Sequence, residues 1–119
     1  MSRILVLDDE PLIALMLKEW LEELGHETVG PAQSVAAALG LVQTERPDAG
    51  LLDLTIGKEN SYRVADALTT LGKPFAFTTG YGAANVEATY QHVPVMRKPF
   101  DFQAVKKTIA DLLDPAPRV

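Results

Sequence analysis

An α/β fold, a doubly wound parallel sheet of five strands with helices on both faces, is predicted by three observations. Short apolar runs recur along the chain: residues 3–8, 48–53, 75–79 and 93–97, with a weaker one at 26–30. Stretches with apolar residues three and four apart separate most of these runs. Finally, residues 3–8 are short and rich in β-branched residues and leucine, like a strand buried on both faces. Strand–helix alternation of this kind implies a parallel sheet sandwiched between helices.

The elements follow in order. Arg3 to Asp8 forms the first strand. Pro11 opens a helix to Leu24 with Ile13, Leu17, Trp20, Leu21 and Leu24 on one stripe, and Gly25 stands where a left-handed cap belongs. His26–Gly30 is the second strand. Ser34 caps a helix through about Thr44, with Leu39 and Val42 inward. After Pro47, residues 48–53 form the third strand and 55–60 a loop. Ser61 caps a helix carrying Val64, Ala65, Leu68 and Leu71, which Gly72 stops. Phe75–Thr79 is the fourth strand, Gly80-Tyr81-Gly82 a turn, and 83–91 a weak helix with Ala84, Val86 and Ala88 as its thin apolar face. Val93–Arg97 is the fifth strand. Asp101 caps a last helix with Phe102, Val105, Ile109 and Leu112 on one face, Phe100 stapling onto Val105. Trp20 reads as helix packing.

Bulk properties exclude several functions. The 119 residues make one domain, residues 114–119 being a tail, and the 47% apolar content supports a core. With no cysteine, disulfides and thiolate chemistry are excluded. The net charge of −5 and the lack of a basic run disfavour nucleic-acid binding. No apolar stretch spans a membrane, no signal peptide is expected, and a cytoplasmic location fits.

The residues with chemistry to offer all fall at strand ends. Asp8, Asp9, Asp53, Thr79 and Lys98 close strands one, three, four and five, and in a parallel sheet ligands bind beyond the carboxyl ends of the strands. Clustered carboxylates repel one another unless a cation intervenes, and oxygen ligands suit Mg²⁺. Lys98 and Thr79 could then hold phosphoryl oxygens, with Asp53 as nucleophile. Taken singly, each residue has an ordinary explanation: a helix cap, a turn former, an exposed lysine. His26 and His92 are isolated, and Gly80-x-Gly82 lacks the third glycine of a nucleotide loop.

Together, Asp8-Asp9-Glu10-Pro11, Asp53 after Gly50-Leu51-Leu52, Thr79-Gly80 and Lys98-Pro99-Phe100 resemble the receiver domain of bacterial two-component response regulators, over essentially the whole chain. The resemblance implies a flavodoxin-like (βα)5 domain with strand order 2-1-3-4-5. It also implies phosphoryl transfer to Asp53 from a histidine kinase or phosphotransfer protein, with Asp8, Asp9, Asp53 and the Thr55 carbonyl around Mg²⁺. Thr79 and Lys98 would contact the phosphoryl group, and the Lys98–Pro99 peptide would be cis. Phe77-Thr78-Thr79-Gly80-Tyr81 resembles a subgroup of single-domain receivers with a Phe-Ala-Thr-Gly-Tyr-type sequence, whose partners are often HWE-type kinases. Such a chain, with no output domain, acts by protein–protein contacts over the fourth helix, fifth strand and fifth helix, or as a relay intermediate. It is a phosphoacceptor that promotes its own phosphorylation and dephosphorylation rather than an enzyme, and the Gly80–Gln91 segment is the candidate switch. Val95 stands where the family commonly has an aromatic residue, which removes the ring used in its usual switch; Ile56-Gly57 and Asn60-Ser61 replace Met-Pro and Asp-Gly.

Two rivals remain. A haloacid-dehalogenase-type phosphohydrolase needs an acid two residues after the nucleophile, where Thr55 stands. A receiver-like interaction module that is never phosphorylated has no need of the full acidic set.

Overall fold

The computed structural model describes residues 1–80 and 86–114. Its elements are β1 (Arg3–Leu7), α1 (Pro11–Glu23), β2 (Glu27–Ala32), α2 (Val35–Glu45), β3 (Ala49–Asp53), the short β4 (Thr55–Ile56) and β5 (Glu59–Asn60), α3 (Tyr62–Thr70), β6 (Phe75–Thr79), β7 (Val95–Arg97) and α4 (Phe102–Leu113). The main sheet is parallel, in the order β2-β1-β3-β6-β7. Once the small β4–β5 ribbon is set aside, this is the predicted order 2-1-3-4-5.

Each face of the sheet carries its own core. Leu5, Leu7, Leu52, Phe75 and Phe77 point to one side, against Val35, Ala38 and Val42 of α2 and Val64, Ala65 and Leu68 of α3. Ile4, Val6, Leu51, Ala76 and Met96 point to the other, against Leu17 and Leu21 of α1 and Val105, Ile109 and Leu112 of α4. This double burial is why β1 and β3 lack alternation: their odd and even residues both meet helices. Each fully buried Leu or Ile contributes roughly 1.5–3 kcal/mol. On the second face, Trp20 meets Phe102 edge to face at 5.9 Å, joining α1 to α4. Phe100 is partly buried against the cluster that contains Val105. At Gly50 an added Cβ would lie 2.9 Å from Leu68 Cδ1, so α3 sits hard against the strand that ends in Asp53.

Local signals at the helix ends behave largely as read. Gly25 and Gly72 have φ of +88° and +70° beyond the ends of α1 and α3. Ser34 Oγ accepts from the Ala37 amide at 3.1 Å and Asp101 Oδ1 from the Ala104 amide at 2.9 Å. Ser61 is different: its hydroxyl is buried and makes no capping bond, while Asn60 Oδ1 accepts from the Tyr62 amide at 3.2 Å.

Three expectations change. Residues 55–60 form an antiparallel ribbon, with Thr55 opposite Asn60 and Ile56 opposite Glu59, turning through Gly57 at φ +59°. The second strand starts one residue later and extends to Ala32; the fifth is only Val95–Arg97. Of the turn expected at 80–82 and the helix expected at 83–91, residues 81–85 lie outside the described residues. Residues 86–91 hold no α-helix, only a 3-10 turn at Ala88–Tyr90. Tyr90 is buried there, stacked on Tyr62 with centroids 5.4 Å apart and edge-on to Phe75 and Phe77. Its hydroxyl donates to Asp66 of α3, and the Tyr62 hydroxyl accepts from the Glu87 amide at 2.8 Å.

Candidate functional site

Parallel pairing brings the ends of β1, β3, β6 and β7 to one edge. Leu7 is level with Leu52, Asp53 with Thr78, and Thr79 with Arg97, so Asp8, Asp53, Thr79 and Lys98 emerge side by side. The backbone holds them there. The Asp8 amide donates to Ala32 O at 3.0 Å, the Leu54 amide to Thr78 O at 2.9 Å, and the Lys98 amide to Thr79 O at 2.8 Å. The Lys98–Pro99 peptide is cis, as expected, and so is Gly30–Pro31.

The lysine amine is the centre of the site. Lys98 Nζ lies 2.8 Å from Glu10 Oε1, 3.1 Å from Asp53 Oδ2 and 3.1 Å from Asp8 Oδ2. The last contact is an ion pair without hydrogen-bond geometry, which leaves the buried Asp8 Oδ2 without a hydrogen bond. Asp8 Oδ1 accepts from the Glu10 amide at 2.9 Å. Asp8 and Asp53 are 0% and 6% exposed, so the amine offsets charge that water does not reach. Beside this cluster lies a cavity of about 340 Å³ lined by Asp9, Glu10, Asp53, Thr55, Thr79, Gly80 and Lys98.

Electrostatics follow from burial. The Asp53 carboxyl is pushed up to about 6, first by burial and then by the Asp8 charge, with Lys98 and the Thr55 amide pulling it back. Asp8 is also raised, by burial above all. Burial works against the Lys98 ammonium, but the Glu10 hydrogen bond and the Asp53 and Asp8 charges outweigh it, and the amine is held well above the usual lysine range. Asp53 thus stays ionised above neutral pH while being more basic, and so more nucleophilic, than an exposed aspartate.

Asp8, Asp53, Thr79 and Lys98 therefore meet as expected, and Thr55 lines the same cavity. Asp9 also lines it, but its Oδ2 accepts from the Gly57 amide at 2.8 Å, fastening the β4–β5 turn to the start of α1. Among the described residues, Asp8, Glu10 and Asp53 each offer a carboxylate oxygen within 4.8 Å of the others. An all-oxygen set of this kind, two of its members buried, fits a hard divalent cation. Sequence reasoning gave Glu10 no role. It was visible as the third acid of the knot, but nothing local says that it reaches a lysine 88 residues away.

Comparison with known proteins gives the same picture. The family model for the response regulator receiver domain matches residues 4–110. The solution structure of SdrG from Sphingomonas melonis Fr1 is 41% identical and superimposes with a TM-score of 0.84, covering 95% of this chain and 97% of that one. The crystal structure of the response regulator TrrA from Thermotoga maritima, in complex with Mg²⁺–BeF, is 28% identical with a TM-score of 0.82, covering 95% of this chain and all (100%) of that one. The sensory transduction protein LytT of Bacillus cereus is 32% identical over 92% of this chain and 46% of its own length. The chain thus spans about half the length of the curated relatives it matches. No helix among the described residues is long and apolar enough to cross a membrane. With its sheet order, its acidic pocket and this matched span, the chain belongs to the response regulator receiver domains, the signalling domains of two-component systems that work with histidine kinases or phosphotransfer proteins.

Proposed function

We propose that this chain accepts a phosphoryl group on Asp53 from the phosphohistidine of a sensor kinase, of the HWE type, or of a phosphotransfer protein, and signals in the cytoplasm through altered protein contacts. The observation that carries this reading is the buried Asp53 carboxylate, 3.1 Å from Lys98 Nζ and opening on a cavity shared with Thr79. A carboxylate oxygen of Asp53 attacks phosphorus; the donor's P–N bond breaks, its electron pair returns to the imidazole nitrogen, and an acyl phosphate remains. In loss of the group Asp53 is the leaving group: water attacks phosphorus and gives up a proton to solvent, the P–O bond to Asp53 breaks with its electron pair returning to the carboxylate, and inorganic phosphate leaves. Lys98 and the Thr79 hydroxyl stabilise the phosphoryl oxygens in both directions, so the domain promotes its own modification and its reversal.

Asp8, Asp9, Asp53 and the Thr55 carbonyl are the proposed holders of Mg²⁺; the Mg²⁺–BeF complex of the T. maritima relative supports Mg²⁺ binding in the family. Bound there, the ion would supply positive charge where the phosphoryl group arrives. Residues 1–119 are read as one domain with 114–119 as a tail. The phosphorylation signal passes through Thr79 and Lys98 into the Gly80–Gln91 segment. Val95 has no ring; among the described residues of that segment the aromatic contact is Tyr90, which ties it to α3 through Tyr62 and Asp66.

Incubation with acetyl phosphate and Mg²⁺ tests the proposal. A mass gain of one phosphoryl group, stable in acid and labile in base, is expected. No gain with Mg²⁺ binding intact would favour an interaction module, and steady turnover of small phosphate esters a phosphohydrolase.

A further inference from the structure

We infer that Glu10 is a positioning residue that restrains Lys98 at the cavity mouth and thereby slows acceptance of the phosphoryl group and shortens its retention; this rests on the reading of Asp53 as phosphoacceptor. Of the three carboxylates on Lys98, Glu10 makes the shortest contact, 2.8 Å against 3.1 Å for Asp8 and Asp53. It is also the exposed one, its side chain 59% accessible where those of Asp8 and Asp53 are 0% and 8%. Glu10 occupies the N-cap position of α1, yet makes no side-chain cap. An acid at a helix N-terminus ordinarily turns to the free amides and the positive dipole end. Here its main chain is pinned to the cluster by the hydrogen bond that its amide donates to Asp8 Oδ1, and its side chain lies across the site on the amine.

The consequence is competition for one ammonium. A phosphoryl dianion entering beside Asp53 needs Lys98, and it meets the negative charge of Glu10 on the same cavity wall. After transfer, the same carboxylate competes with the phosphoryl oxygens for the lysine. Neutral glutamine at position 10 keeps the shape and removes both effects.

The experiment compares wild type and Glu10→Gln at saturating Mg²⁺, following phosphorylation by intact mass and its decay after donor removal. Acetyl phosphate, a dianion, and phosphoramidate, which carries less charge, serve as donors. Expected is a rise in the phosphorylation rate of about three- to tenfold with acetyl phosphate, a smaller rise with phosphoramidate, and a longer-lived product. With acetyl phosphate the wild-type rate should rise with added salt, and this rise should flatten in the variant, because screening no longer relieves a repulsion. A purely structural Glu10 would change melting temperature without this donor and salt dependence. Equal or slower phosphorylation of Glu10→Gln overturns the inference, as does an unchanged rate at saturation with only weaker Mg²⁺ binding, which would make Glu10 a metal ligand. Failure of the parent reading looks different: wild type gains no mass from either donor.

Discussion

Asp53→Asn is expected to abolish phosphoryl acceptance and at the same time to stabilise the metal-free protein at pH 8. The stability gain comes from linkage. The folded-state carboxyl is raised to about 6, above the unfolded value of about 3.9. Between those values the native state binds more protons than the unfolded state, so stability falls as pH rises through that window and stays lower above it. A shift of about two units corresponds to roughly 3 kcal/mol. Coupling to Asp8 and Lys98 makes about 1–3 kcal/mol the expected gain for the neutral amide at pH 8, fading towards zero near pH 4, where wild-type Asp53 is itself protonated. The asparagine amide could also donate to Asp8 Oδ2, which now lacks a hydrogen bond. Denaturant unfolding at both pH values checks this. A variant less stable than wild type at pH 8 would mean that the ionised carboxylate is not a burden on the fold.

Lys98→Ala is expected to act in the opposite direction. It removes the amine that contacts Asp8, Glu10 and Asp53 and leaves two buried carboxylates uncompensated. Breaking a buried ion pair from one side costs several kcal/mol. Here the carboxyls escape part of that cost by binding protons, so a loss of about 2–4 kcal/mol at pH 8 is expected, shrinking as pH falls. Mg²⁺ should restore more stability to this variant than to wild type, since it meets an unopposed negative charge. Acceptance from acetyl phosphate should survive better than the response. NMR shift changes at residues 86–91 on phosphorylation should be lost, while the mass gain persists at reduced rate. Unchanged stability at pH 8 with intact shift changes would contradict the role given to Lys98.

The legible part of this molecule is the part that repeats a local rule. Apolar runs buried on both faces betrayed β1, β3 and β6, and the acids and lysine at their ends could be placed together because a parallel sheet aligns carboxyl ends. Gly25, Ser34 and Asp101 announced helix ends because their own backbone or side chain satisfies the terminal groups. What escaped depends on partners distant in sequence. Two-residue strands such as β4 and β5 have no period to detect. Asn60 rather than Ser61 serves the first amide of α3, a choice between adjacent residues that propensity does not separate. Tyr90, a lone aromatic in a polar stretch, gave no sign that it would enter a cluster with Tyr62, Phe75 and Phe77. Asp9 and Glu10 look equivalent in the sequence, yet one carboxylate binds the Gly57 amide and the other Lys98. Their division of labour is set by side-chain reach, which spacing does not encode.

Borohydride trapping identifies the carboxylate that carries the phosphoryl group. After treatment with acetyl phosphate and Mg²⁺, reduction converts an aspartyl phosphate to homoserine, and peptide sequencing by mass spectrometry locates it. Homoserine at position 53, absent without the donor, is the predicted result. Homoserine at position 8 or 9 instead, or none in a protein that has gained the phosphoryl mass, would contradict it.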